Sequence, residues 1–356
     1  MSSVTESRGM PYRSLLDRLE SGLDPRGPVV ALPDGSVDTY YRMFEGRDRT
    51  VGTRTRFAEL VADGRTSALR VERQSREPGG QAVNLARQVD ALDVPVRLYG
   101  HLDDPVFDAL GFPTRSMGAP GEVRVYGFDD DDLMISEDSP DIARWSLADL
   151  RAVPGAVAAV ESAAVVALVN WVSVPGMDAA MRGLATLDLE GATVVVDPGD
   201  LTGCSERALA GLLDSLDRLG DATDVVLSAN EGETATLAAA AGVSADGVDD
   251  HLAGLRDRAG LAAAVSHGRD RAVARTATRA VRVPNLEVER ARRRTGAGDR
   301  FNGALAAALA ADWDVEPALA LANACASRFV ATAAAAGMAE LASFLREVPF
   351  PGSEDP

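Results

Sequence analysis

The chain has 356 residues, of which 46% are hydrophobic, and a formal net charge of −18. This acidic surplus argues against nucleic acid or an acidic membrane surface as a partner, because both carry negative charge themselves. No apolar run approaches the roughly 18–20 residues of a membrane span. The first 26 residues are polar and have no apolar signal-peptide core. We therefore expect a globular protein of the cytoplasm.

Composition also limits the chemistry that the chain can perform. All 36 basic residues are arginine, and a lysine-free, Asp-rich composition is typical of extreme halophiles, whose proteins stay soluble in concentrated salt. Cys204 and Cys325 are isolated, and His101, His251 and His267 lie far apart in the sequence. We therefore expect no disulfide framework, structural zinc site or Ser-His-Asp triad.

Apolar, β-rich runs alternate with helical stretches along most of the chain. This alternation predicts βαβ units on a mostly parallel sheet, in one large α/β domain over residues 27–350. Predicted strands are 29–32, 94–99, 165–169, 193–196, 224–227 and 262–265. Predicted helices are 82–91, 177–187, 205–216, 234–241 and 248–259, followed by a strand pair at 271–283 and an Ala-rich helical end from 297 to about 345.

Other segments depart from this rhythm. Segments of about 36–75 and 112–140 carry short alternating runs separated by Gly and Asp, which predict hairpins outside the main sheet that form a lid. The N-terminal extension, residues 1–26, is predicted to hold a short amphipathic helix over 12–23, and the acidic tail 351–356 to be disordered.

Residues 292–305 contain the most informative motif of the chain. Small residues at Gly296, Ala297 and Gly298 let the backbone approach a ligand closely, and Asp299 follows at the start of a predicted helix. Amides at a helix N-terminus favour a phosphate, and a carboxylate beside them can accept a hydroxyl proton. The segment predicts phosphoryl transfer, the alternative being a Gly-rich helix start with Asp299 as a cap.

Two motifs in the first third of the chain suggest a site for a small polyol. Gly79 and Gly80 precede a predicted helix whose first turn carries Asn84, a donor and an acceptor of hydrogen bonds. Asp38 follows the first strand, at the edge where open α/β sheets bind ligands. The alternatives are an ordinary turn at the glycines and an exposed loop acid at Asp38.

Two further strand ends carry polar residues. Asn230 and Glu233 face the same way on a first helical turn, where they can hold Mg²⁺ through its waters or form a capping box, and the two roles are compatible. Ser266 and Gly268 end another predicted strand, where a nucleotide can lie along the sheet edge, whereas His267 between them is more typical of a loop residue than of a ligand.

Together these segments resemble the ribokinase-like carbohydrate kinases, also called the PfkB family, over roughly residues 28–346. Residues 79–84 and 295–299 are similar to the two signatures of the family, the second being the most specific match. Further similarities are Asn230 with Glu233, the pair Asp197 and Pro198, Asn323 on the adenine-side helix, and the position of Asp38. The resemblance implies a three-layer α/β/α domain with a mostly parallel central sheet and a small β lid.

The resemblance also implies ATP- and Mg²⁺-dependent phosphorylation of a sugar hydroxyl, and homodimers through the lid. Asp299 would be the base and Gly296, Ala297 and Gly298 the anion hole. The other implied roles are the acceptor site (Asp38, Gly79, Gly80, Asn84), the nucleotide site (Ser266, Gly268, Thr295, Asn323) and the metal site (Asn230, Glu233).

The sequence departs from the family at two places. Arg293 and Arg294 replace the usual Asp-Thr, so the usual potassium site is in doubt, and the arginines either contact phosphate or form a solvated basic run. Arg271 replaces a glycine of the nucleotide segment. The first choice of acceptor is a ketohexose such as fructose. Alternatives are 2-keto-3-deoxygluconate, a nucleoside stacked on Trp171 or Tyr40, ADP as donor, or a non-catalytic sugar- or nucleotide-binding regulator.

Overall fold

The structure, a computed structural model, describes residues 10–130, 132–137, 139–245 and 247–350. The predicted tail 351–356 lies outside these residues, as does the start of the N-terminal extension. The strands are β1 Val29–Leu32, β2 Ser36–Glu45, β3 Arg49–Thr50, β4 Arg70–Gly79, β5 Val96–Gly100, β6 Thr114–Ser116, β7 Gly121–Gly127, β8 Asp132–Glu137, β9 Val165–Val169, β10 Thr193–Asp197, β11 Asp224–Asn230, β12 Ala263–His267, β13 Arg271–Thr276 and β14 Ala280–Pro284.

The helices are α1 Met10–Ser21, α2 Arg54–Ala62, α3 Gln81–Ala91, α4 Pro140–Arg144, α5 Leu147–Ala152, α6 Ala156–Glu161, α7 Met177–Leu184, α8 Glu206–Gly220, α9 Glu231–Ala240, α10 Val248–Arg258, α11 Ala297–Ala310, α12 Val315–Thr332 and α13 Met338–Glu347. The Ala-rich end, predicted as one helical region, is thus three helices. The chain turns between them at Asp312 and Ala333, which both have positive φ.

The main sheet has the strand order β14-β13-β12-β11-β10-β9-β1-β5-β6. Seven neighbouring strands pair in parallel, namely β12, β11, β10, β9, β1, β5 and β6. Strands β13 and β14 add an antiparallel edge beside β12. Successive side chains of a strand point to opposite faces. Val29 and Ala31 accordingly pack with helices α3, α11 and α12, whereas Val30 and Leu32 pack with α7, α8 and α10. The predicted three-layer α/β/α arrangement is confirmed.

A second, small sheet stands apart from the main one. It has the order β3-β2-β7-β8, with β4 paired to β2. The hairpin prediction is only partly right, because β2 pairs with β7 in parallel across a long connection. Residues 54–62 form helix α2, and β6 belongs to the main sheet although it lies within the predicted lid segment 112–140.

Helix α1 is an integral part of the hydrophobic core. Tyr12 and Leu15 are fully buried, and Leu19 nearly so, in the same cluster as residues of α12 and α13. The Tyr12 hydroxyl donates a hydrogen bond to the carbonyl of Pro284, at the end of β14. The N-terminal segment therefore supports the outer strands of the main sheet.

Removal of this hydroxyl is expected to destabilise the protein. Tyr12→Phe leaves the part-buried Pro284 carbonyl without its donor, which costs about 1–2 kcal/mol of unfolding free energy. Urea unfolding measures the change. Tyr126→Phe, at a half-buried position in β7, is the matched control and is expected to change stability by less than about 0.5 kcal/mol. Equal effects of the two substitutions would contradict the role given to Tyr12.

Candidate active site

Gly296, Ala297 and Gly298, the predicted anion hole or anion cradle, lie at the N-terminus of α11, because α11 begins at Ala297. Gly296 adopts a left-handed conformation (φ 89°) as the residue before the helix, so the amides of the first turn point out of the helix end. Asp299 sits on that first turn, and one of its carboxylate oxygens accepts a hydrogen bond from Asn84 Nδ2 at 2.9 Å. Two motifs 215 residues apart in sequence therefore meet at one point.

The surroundings of Asp299 tune its acidity. Burial, together with the negative charge of Asp197, raises the pKa of Asp299 to about 7. Asn84 and Arg300 act in the opposite direction. A carboxyl group with a pKa near neutrality suits a general base, because it is ionised at working pH and still basic enough to take a proton.

Asp38 and the glycine pair also lie in this region. Asp38 is on β2 rather than in a loop, and it accepts a hydrogen bond from Ser36 Oγ at 2.7 Å. Burial raises the pKa of Asp38. A side chain at Gly79 would overlap the Asp38 carboxylate. At Gly80, which has φ 97°, a Cβ atom would lie 2.9 Å from the Gly35 backbone. The glycine pair is thus required by close approach, and not merely by a turn.

Asp34 is an important residue that the sequence analysis missed. Its carboxylate accepts hydrogen bonds from the backbone of Gln81 (3.0 Å) and Ala82 (2.7 Å) and from Asn170 Nδ2 (2.9 Å). It therefore caps helix α3, which carries Asn84, from the loop after β1. The available signal was its place directly after a buried strand, but Asp38 drew attention instead.

A second buried acid links the sheet to α11. Asp197, at the end of β10, accepts hydrogen bonds from Gly199 N at 2.9 Å and from Asn302 Nδ2 at 2.6 Å, and Asn302 Oδ1 accepts one from Ser228 Oγ at 2.6 Å. Burial and the charge of Glu233 raise the pKa of Asp197 to about 7. Asn302 has no counterpart in the sequence analysis, which did single out Asp197.

Arg293 lies against residues of β2 and β4, close to Asp38. Its guanidinium lies over the Tyr40 ring, 4.8 Å from the centroid, and Nη1 is 3.5 Å from Glu77 Oε2. Burial lowers the pKa of Arg293, while the charges of Asp38 and Asp299 raise it. The side chain is 20% exposed, so a solvated basic run is wrong for this arginine, although Arg294 is exposed.

A cleft of about 920 Å³ opens on the other side of the anion cradle. Its lining includes His267 and five predicted nucleotide or cradle residues, namely Gly268, Thr295, Ala297, Gly298 and Asn323. Ser266, which was expected in the nucleotide site, is buried instead and accepts a hydrogen bond from Thr234 Oγ1 at 3.1 Å. Its side chain is therefore turned away from the cleft surface.

His267 is also more than the loop residue that the sequence suggested. It ends β12, its ring packs 4.9 Å from that of Phe301, and burial lowers its pKa to about 4. A neutral imidazole therefore lies beneath Gly298, where a Cβ atom would be 3.2 Å from the ring.

Asn230 and Glu233 form the predicted capping box at the start of α9. Asn230 Oδ1 accepts from the Glu233 backbone at 3.0 Å, and Glu233 accepts from the Asn230 backbone at 2.8 Å. Burial raises the pKa of Glu233 to about 7. Among the described residues no group of three or more His, Cys, Asp or Glu is arranged to hold a metal. Both carboxylate oxygens of Glu233 accept hydrogen bonds from Asn230, so a Mg²⁺ ion at this pair would be held through its own waters, as the ion's preference for keeping most of them allows.

Comparisons with known proteins show the family of the chain. A model of the prokaryotic ketohexokinase family matches residues 25–348. Ketohexokinase from Haloferax volcanii is 31% identical over 327 residues, which cover 87% of this chain and 84% of that protein. Within the described residues, each helix is too short or too polar to cross a membrane.

Solved structures of low sequence identity share the fold. Fructokinase with bound ATP from Xylella fastidiosa has a TM-score of 0.66 at 16% identity, covering 90% of this chain and 98% of that one. A putative ribokinase II in complex with ATP and Mg²⁺ from E. coli has a TM-score of 0.65 at 18% identity, with the same coverage. The fold is therefore ribokinase-like, and the protein is an ATP-dependent carbohydrate kinase, as predicted. It belongs to the prokaryotic ketohexokinase family.

Proposed function

We propose that this protein transfers the γ-phosphoryl group of ATP to a hydroxyl of a ketohexose such as fructose. The observation that carries the proposal is the half-buried carboxyl of Asp299 at the N-terminal amides of α11, between the large cleft and the proposed acceptor side. Family membership and the ketohexokinase relative support a ketohexose as acceptor.

The acceptor sugar would lie between the main sheet and the small sheet. Asp38 would accept hydrogen bonds from sugar hydroxyls, and the backbone at Gly79 and Gly80 allows close approach. Asn84 and Arg293 would border the same space. The small sheet, from which Asp38 and Tyr40 project, would act as the lid and exclude water when sugar binds.

ATP would occupy the large cleft, with its phosphates toward the α11 amides. Asp299 would take the proton of the attacking hydroxyl while that oxygen forms a bond to the γ-phosphorus and the bond to ADP breaks. Gly296, Ala297 and Gly298 would supply the amides that stabilise the phosphoryl oxygens. Asn230 and Glu233 would hold Mg²⁺ through its waters, and the bound ion would neutralise part of the phosphate charge.

An acceptor screen tests the proposed substrate. With ATP and Mg²⁺ in multimolar KCl, fructose is expected to give the highest kcat/KM among ketohexoses, 2-keto-3-deoxygluconate and nucleosides. ADP formation measures turnover, and phosphorus NMR of the product identifies the phosphorylated hydroxyl. Turnover of 2-keto-3-deoxygluconate or a nucleoside alone would replace fructose as the acceptor, and binding without any turnover would favour a regulator.

Two further assignments follow from this function. We place the enzyme in the cytoplasm because its donor ATP is found there. The small sheet also offers a surface for a homodimer, since Met134 and Ile135 on its edge strand β8 are about half exposed. Light scattering at working salt measures the oligomeric state, and a monomer there would exclude a stable pair.

A further inference from the structure

Arg300 is a buried cation that directly follows Asp299 on α11. Its side chain is almost fully buried, and its guanidinium lies over the Phe329 ring, 5.0 Å from the centroid. Nη1 donates to the backbone carbonyl of Asn84, and Nη2 donates to Asn84 Oδ1 at 3.0 Å. Both arms of one arginine therefore hold a single residue of helix α3.

This grip determines which way the Asn84 amide faces. An arginine can only donate hydrogen bonds and a carboxylate can only accept them, so the amide satisfies both neighbours in one orientation alone. Oδ1 must face Arg300, and Nδ2 must face Asp299, to which it donates at 2.9 Å. Without the arginine, the amide is free to rotate and to turn its oxygen toward the carboxylate.

We propose that Arg300 is a positioning residue, which locks the Asn84 amide so that it donates to the carboxylate of Asp299. The inference rests on the proposed role of Asp299 as the base. It gives Arg300 a function through Asn84, since its guanidinium donates to Asn84 and packs on Phe329.

The charges around Asp299 make this lock measurable. Asp197 on β10 and Asp34 after β1 raise the pKa of Asp299, whereas Asn84 and Arg300 lower it. Arg293 also faces it as a positive charge, and His267, beneath Gly298, is neutral near pH 7. Loss of Arg300 removes a positive charge and the ordered amide together, so the carboxyl becomes harder to ionise.

The test is the pH profile of kcat/KM for fructose and ATP. Arg300→Met is expected to move the acid limb up by about one pH unit, because an opposite charge within a few ångströms lowers a carboxyl pKa by about that much or more. It should also lower kcat at pH 7 roughly tenfold, because the Asn84 amide no longer holds the Asp299 carboxylate in a fixed position. The position of the limb does not depend on the fraction of folded enzyme, so a loss of stability does not imitate the shift.

Two other variants separate positioning from charge and from packing. Arg300→Lys keeps the charge but loses the two-armed grip, so its acid limb is expected to move up by less than that of Arg300→Met. The pH profile of Arg300→Lys also tests the inference if Arg300→Met does not fold. Arg87→Met removes a cation close to Arg300 that makes no hydrogen bond to Asn84, and its limb is expected to stay in place. An unchanged limb in Arg300→Lys overturns the inference whatever its kcat, because a shift in Arg300→Met alone then reflects only the lost charge.

A readout without turnover keeps this inference distinct from the proposed function. Carbon NMR of ¹³C-labelled aspartate, with the Asp299 signal assigned by its loss in Asp299→Asn, gives the carboxyl pKa directly. An upward shift in Arg300→Lys as well as in Arg300→Met supports the lock even if the acceptor screen fails. No shift in Arg300→Lys refutes the lock, while an active Asp299→Asn enzyme refutes the role of the base.

Discussion

Asp299→Asn is expected to lower kcat by at least about 10²-fold with little change in the KM for ATP. Removal of a general base typically costs 10²–10⁴ in rate, and the substitution leaves in place the amides of α11 that are proposed to bind the phosphates. Asparagine has nearly the same shape but cannot accept a proton from the incoming hydroxyl. Steady-state kinetics with the preferred sugar and ATP measure both constants.

The wild-type pH profile provides a second check on Asp299. Only the ionised carboxylate is active as a base, and its pKa is raised to about 7, so kcat/KM should fall as the pH drops below about 7 and level off above it. Asp90→Asn, an exposed acid on α3, is the matched control and should behave as wild type. A near-normal kcat in Asp299→Asn would remove this residue from the mechanism.

Asp34→Ala is expected to reduce the free energy of unfolding by about 2–4 kcal/mol. The substitution removes the cap of α3 and leaves the Gln81 and Ala82 amides and the Asn170 side chain without their acceptor in a buried place. Since α3 presents Asn84 to Asp299, activity should fall as well. Urea unfolding measures the stability, and the kinetic assay measures the activity.

Graded substitutions test whether the hydrogen bonds of Asp34 are the cause. Asp34→Asn keeps one acceptor oxygen and should lose less stability than Asp34→Ala, whereas Asp103→Ala, at an exposed loop position, should change it by less than about 0.5 kcal/mol. If Asp34→Ala unfolds at the same urea concentration as wild type, the carboxylate does not hold the start of α3.

The sequence predicted those features that depend on near neighbours along the chain. Continuous apolar runs between helical stretches located the buried strands of the main sheet, because the strands of a parallel sheet covered on both faces are hydrophobic throughout. The glycine pair at 79–80 and the segment 295–299 were recognised because close backbone approach and a helix start leave a local pattern. The same holds for Asn230 and Glu233, whose capping box spans three residues.

Other features depend on contacts between distant segments, for which no local pattern exists. The parallel pairing of β2 with β7 joins segments that alternation alone presents as separate hairpins. The burial of Ser266 against Thr234 is likewise invisible from a strand end that resembles a nucleotide segment.

What the sequence determined by itself is the class of fold, the glycine-rich start of α11 and the acid beside it, since each depends on residues within a few positions of one another. Only the tertiary structure decided how the site is held together. Asp34 reaches α3 across 48 positions, and Arg300 grips Asn84 across 216. A buried charge must find its partners in space, and spacing along the chain does not reveal which charges will be buried together.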